Sequence, residues 1–138
     1  MAGSINPITA SLLVASGGAL GALARYHIGL AVMKLAGSGS DFPWGTLTVN
    51  IVGSLAMGLL IAWFTRDGGA HPLGEVLMGL LLGVGLLGGF TTFSAFSLEL
   101  VLMLQRGALG LALGYAGVSV VAGVAALYLG LSFARGAP

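Results

Sequence analysis

GGFTTFSAF, residues 88 to 96, gathers the side chains of this sequence best able to do chemistry. Thr91, Thr92 and Ser94 bring hydroxyls, Ser97 and Glu99 follow, and Phe93 and Phe96 stand three apart, where a helix sets both rings on one face. A serine near a carboxylate can be read as a nucleophile with its base. A hydroxyl returned to a helix carbonyl accounts better for Ser94 and Ser97. The chain has no HExxH, no GxSxG and no paired carboxylates, and His27 and His71 lie in different parts of it. GVGLLG, residues 83 to 88, fits the GxGxxG pattern, but a dinucleotide site needs a preceding strand and an acidic residue about 20 positions on. Glu99 is too close. With no Cys, disulfides, thiolate metal sites and cysteine nucleophiles are excluded. Catalysis is not how these residues are best read, and the chain is expected not to be an enzyme.

Ion binding is the chemistry that remains. A helix interrupted over Gly88 to Thr92 leaves carbonyl oxygens without N–H partners, and inside a membrane these must be met within protein or at a water-filled cavity. Carbonyl oxygens suit a hard cation such as Na⁺. Hydroxyl donors and the positive edges of phenyl rings suit an anion. From the residues alone both readings stand, beside a plain core-filling role for Phe93 and Phe96.

The elements that must position these groups follow from composition. Of 138 residues, 57% are hydrophobic and 7% charged, and the mean hydropathy is +1.06, so polar groups are too few to cover a compact particle in water. The expected protein is an all-α integral membrane protein, a single transmembrane domain over residues 1–138. Four segments are long enough to span, given that a crossing helix needs about 20 apolar residues: Ile8 to Met33, Gly45 to Phe64, Leu73 to Leu104 and Leu109 to Phe133. The third is too long for one simple crossing, and interruption costs least near Gly88 to Thr92. Nothing basic precedes the first, which is taken as a retained span rather than a cleavable signal. The connections, Ala36 to Phe42, Thr65 to Pro72 and Gln105 to Gly107, are too short for a soluble domain. A net charge of +1 and five scattered Lys and Arg make no basic patch, so no nucleic-acid partner is expected.

Orientation in a bilayer follows the excess of Lys and Arg on the cytoplasmic side. Alternating loops put Lys34 and Arg106 on one side and Arg66 and Arg135 on the other, with Arg25 able to add to the first and the amino terminus to the second. That near-balance permits insertion both ways round and an antiparallel homodimer. Small residues four apart recur in every span, as at Gly17 and Gly21, Ser54 and Gly58, Gly85 and Gly89, Gly110 and Gly114, and Ala126 and Gly130. Such faces let helix backbones approach closely in lipid.

GGFTTFSAF, the NIVG of Asn50 to Gly53 after GTLTV, the GALARY of residues 21 to 26 and four short spans together resemble the Fluc (CrcB) family of fluoride channels. The likeness covers nearly the whole chain, and its GG-x-TTFS-x-F core is highly specific. It implies a dual-topology antiparallel homodimer in the inner (plasma) membrane, with two pores that let fluoride leave the cytoplasm passively. It also implies a structural Na⁺ at the dimer centre, held by the backbone carbonyls of Gly88 and Thr91 from each subunit. Phe93 and Phe96 match the pore-lining aromatic pair, and Asn50 the second-helix amide near the ion path, with Thr46 one turn before it. Tyr115 and Ser119 match the start of a polar track on the fourth helix. Gly123, on the next turn of that face, offers no hydroxyl and departs from the pattern.

Neutral donors at Thr46, Asn50, Tyr115 and Ser119 can replace the water of a small, strongly hydrated anion without trapping it. Arg25 and Glu99 are vestibule candidates, each with a plainer reading as a residue reaching the membrane interface. Two other functions compete. A small multidrug-resistance-type antiporter is also a four-span dual-topology dimer, but its proton coupling calls for a carboxylate in the first helix, which here has no Asp or Glu. A non-transporting membrane scaffold would leave the interruption in the third span without purpose.

Overall fold

The computed structural model describes residues 5–37, 39–66 and 72–135. Asp67 to His71, the centre of the second connection, lie outside the described residues, and with them the reading of His71 as a loop residue. Helix α1 spans Pro7–Ala36, α2 Trp44–Arg66, and α6 Leu109–Arg135. The third crossing is composite: α3 (Pro72–Met78), a π-helical stretch Gly79–Leu87, a single turn α4 (Gly88–Phe90), then α5 (Phe93–Gln105). Four stretches, Pro7–Ala36, Trp44–Thr65, Leu73–Gln105 and Leu109–Phe133, are long and apolar enough to cross a membrane. The protein is an all-helical, multi-pass membrane protein.

Helix ends are set by local chemistry. Asn6 Oδ1 accepts the Ile8 N–H at 2.9 Å and Pro7 opens α1, where its missing N–H is no loss. Gly37, with φ of 92°, takes the chain out of α1 in a conformation that suits glycine. At the end of α5, Ala108 N–H donates to Met103 O and Gly107 N–H to Leu104 O, both at 3.0 Å, with Gly107 at φ 74°. This pairing satisfies the last carbonyls and turns the chain directly into α6.

Glycine decides how the crossings meet. A Cβ at Gly17 or Gly21 would run into the backbone of the π-helical stretch, at Leu81 O and Leu86 O. Likewise a Cβ at Gly58 would strike Leu127 O, and one at Gly130 would lie 2.9 Å from Leu59 N. So α1 lies backbone to backbone on the π-helical stretch, and α2 on α6. Gly110 and Gly114 have open space around them, and their pair makes no such contact within the protomer. Consecutive crossings run antiparallel through their short connections, so α2 and α6 run in the same direction.

The enclosed core is small and sits at one end of the bundle, where Leu47, Met103, Ala112 and Tyr115 cluster with Phe96 packed against them. Even the most enclosed span window, in α2, is only 28% buried. Leucines, valines and aromatics such as Leu20, Val121 and Phe133 point outward. That surface is suited to lipid or to another apolar surface, not to water.

Candidate ion-conduction site

Between α4 and α5 the backbone leaves helical geometry for two residues: Thr91 has φ −86°, ψ 157° and Thr92 φ −151°, ψ 117°. Some of the polar groups freed there are met by nearby side chains. Thr91 Oγ1 donates to Leu87 O at 2.9 Å. The Asn50 amide, brought in by α2, accepts the Thr92 N–H at 2.8 Å and donates to Thr92 O at 3.0 Å, pairing with the extended residue as a neighbouring strand would. Thr92 Oγ1 caps α5 by accepting the Ala95 N–H at 3.1 Å.

These bonds leave the carbonyls of residues 88 to 91 short of their helical donors. A continuous helix would send the N–H of Thr92 to Gly88 O and that of Ala95 to Thr91 O. Here the first goes to Asn50 and the second to the Thr92 hydroxyl. Gly88 and Thr91, the positions expected from the sequence to face Na⁺, are therefore two of four successive carbonyls, on residues 88 to 91, that lack their usual helical donors. Among the described residues no group of three His, Cys, Asp or Glu comes together as an alternative metal site.

A second polar centre lies two turns along α5. Glu99 Oε1 accepts from Thr46 Oγ1 at 2.6 Å and Oε2 from Tyr115 OH at 2.7 Å. The residues come from α5, α2 and α6, and Tyr115 is fully buried. The Phe96 ring lies 5.1 Å from that of Tyr115, and Phe93 5.7 Å from Phe96. Phe96 is partly enclosed by the core, whereas Phe93 is 79% exposed in the protomer. Ser119 Oγ, one turn along α6 from Tyr115, is buried without a hydrogen bond.

A cavity of about 440 Å³ opens between α1, α2 and α5, with Arg25 in one wall and Thr46, Thr92 and Glu99 in the others. A smaller one, about 180 Å³, reaches Glu99 from the connection between α1 and α2 and carries Asp41 and Arg106 at its rim. Those two form an exposed ion pair at 3.7 Å, a contact of little energetic weight in water.

The tertiary structure thus unites Thr46, Tyr115 and Glu99, and places Arg25 on the same cavity as Glu99. It engages the Thr46 and Tyr115 protons with Glu99 rather than leaving them free, and it commits the Asn50 oxygen and one of its N–H groups to Thr92. Thr92 itself, the residue both paired and capping, was not singled out as a site residue from the sequence. Its one signal there is a hydroxyl residue immediately before a run with helical spacing.

A family profile described as "CrcB-like protein, Camphor Resistance (CrcB)" matches residues 12–131. The chain belongs to the CrcB family. Among CrcB relatives, a protein of Novosphingobium aromaticivorans is 57% identical over 94% of this chain and 98% of its own. One from Caulobacter sp. (strain K31) is 50% identical over 93% and 96% respectively, and one from Agrobacterium fabrum is 50% identical over 89% and 94%. Each of the three is named "Fluoride-specific ion channel FluC". The match to the CrcB profile takes in all of the residues described above, from Arg25 to Ser119.

Proposed function

We propose that this protein is a fluoride-specific channel that lets fluoride leave the cytoplasm passively, so that cells accumulating the ion are protected. The observation that carries this reading is the identity of 57%, across 94% of the chain, with a relative bearing that name. The geometry supports it. Fluoride gives up tightly held water, and a path for it must offer donors in exchange. Thr46 and Tyr115 offer theirs at Glu99. An arriving fluoride competes with the carboxylate for the same two protons, so it is bound without being trapped. Arg25, across the cavity, draws anions inward. Phe93 and Phe96 present ring edges to the same path.

The working unit is an antiparallel homodimer in the inner membrane, with two pores. The exposure of Phe93 supports this, because a path along its ring needs a second wall that one protomer does not supply. The carbonyls of Gly88 and Thr91 fit Na⁺ by their chemistry, being hard oxygen ligands deprived of helical donors. Bound there, the ion would supply the positive charge that lets carbonyls from two subunits face one another. The test is purified protein in proteoliposomes, with efflux read by a fluoride electrode and chloride measured in parallel. Fluoride flux with chloride excluded is expected. Comparable fluoride and chloride flux would overturn the proposal.

A further inference from the structure

Two rows of residues spaced four apart run side by side along the contact between α2 and α6. On α2 the row is Thr46, Asn50, Ser54, and on α6 it is Tyr115, Ser119, Gly123. Residues at that spacing stack on one face of a helix, about 6 Å apart along the axis. The helices run in the same direction, so the rows advance together, and Ser54 Oγ against Gly123 fixes where they meet. At the first rung Thr46 and Tyr115 are joined through Glu99. At the second, Asn50 is committed to Thr92, and Ser119 Oγ is buried with no hydrogen bond. At the third, α6 has only Gly123, and a Cβ placed on it would lie 3.7 Å from Ser54 Oγ. One turn further on α2 and two on α6, Gly58 and Gly130 press the two backbones together and close the rows.

We infer that Ser54 contacts permeating fluoride: from α2, its hydroxyl stands beside the place on the α6 row where Gly123 has no side chain, and it is the third donor after Tyr115 and Ser119. The inference rests on the fluoride-channel reading. Two observations carry it. A buried hydroxyl without a partner is costly unless something it can donate to arrives, and Ser119 is such a group. The next hydroxyl along the row belongs to the other helix, and it stands within ordinary contact distance of the position where a residue with a side chain would have supplied one. A small anion leaving Ser119 meets a donor at Ser54 and bare backbone at Gly123.

The same geometry sets the test. Because a Cβ on Gly123 has ordinary van der Waals room beside Ser54 Oγ, a serine is accommodated there and returns a hydroxyl to the α6 row. Fluoride efflux from proteoliposomes, normalised to assembled protein recovered by size-exclusion chromatography, is measured for the unmutated protein, Ser54→Ala, Gly123→Ser and the double variant. Ser54→Ala is expected to lose about tenfold, the order expected for deleting one donor to a charged group. The double variant is expected to recover most of the loss, with Gly123→Ser alone measured as its reference. Unchanged flux in Ser54→Ala, or a double variant no better than Ser54→Ala, overturns the inference and leaves the channel reading intact. An unmutated protein that passes no fluoride removes both. Should Ser54→Ala not assemble, Ser54→Cys, which keeps the volume but donates weakly, is measured in its place with the same expectation.

Discussion

Glu99 holds two hydroxyl protons that come from residues 46 and 115, and the short bonds of 2.6 and 2.7 Å tie three helices at one carboxylate. Around it the two phenylalanines differ in a way that separates their roles. Phe96 packs on Tyr115 at the edge of the core, so Phe96→Ile is expected to cost stability, about 1 kcal/mol for a change of shape at near-constant volume. Phe93 is 79% exposed in the protomer, so Phe93→Ile leaves protomer stability nearly unchanged. If the ring edges meet a dehydrating fluoride, both variants reduce flux per assembled dimer, since isoleucine keeps apolar bulk but has no quadrupole. Normal flux per dimer with a lower melting temperature in Phe96→Ile alone would make the rings mere filler.

At the scale of elements, the step from α4 to α5 depends on a close approach from α2. A Cβ on Gly53 would run into Thr91 Cγ2 and lie 3.2 Å from Phe90 Cδ1, so only glycine lets α2 come near enough for Asn50 to pair with Thr92. Gly53→Ala is therefore expected to displace Thr91 and lower thermal stability by about 1–3 kcal/mol, the range for overpacking. Thr91→Ser removes the methyl group that is struck and keeps the hydroxyl bonded to Leu87 O. Combined with Gly53→Ala, it should restore most of the loss. A double variant as unstable as Gly53→Ala alone would show that Thr91 is not the obstacle. The π-helical stretch is a second device of this kind: nine residues of the wider helix, Gly79–Leu87, lie where α1 packs backbone to backbone. Neither the π-helix nor the Asn50 pairing has a signature in local sequence.

For the whole molecule, the outward-facing apolar surface and the balanced charges bear on assembly. Lys34 and Arg106, with Arg25 near the same end of α1, oppose Arg66, Arg135 and the amino terminus, so the positive-inside rule gives little preference for either orientation. Reporter fusions at the carboxyl terminus are expected to report both orientations in the same cells, and a single orientation would count heavily against an antiparallel dimer. If Na⁺ joins the carbonyls of Gly88 and Thr91 across two subunits, replacing Na⁺ by a bulky organic cation should lower the dimer's melting temperature. Thr91→Ser, which leaves the carbonyl in place, should not. A melting temperature indifferent to Na⁺ would remove the central ion from the proposal.

Hydropathy by itself determined that lipid is the solvent and that the chain crosses it four times, because apolar run length and charge density are local properties that water and hydrocarbon sort without reference to the fold. The location of the chemistry was also legible: glycines followed by hydroxyl residues inside an apolar span mark a place where the helix is weakest and polar groups are gathered. What those polar groups do was decided only in three dimensions. Thr46 and Asn50 read alike along α2, one turn apart, yet one donates to a carboxylate 53 residues away and the other grips a backbone 42 residues away. Gly123 read as a gap in a row of hydroxyls, and the fold sets the Ser54 hydroxyl against it. Hydrogen-bond partners are fixed by which helices touch and in what register, and that follows from glycine contacts between distant segments that no local window contains.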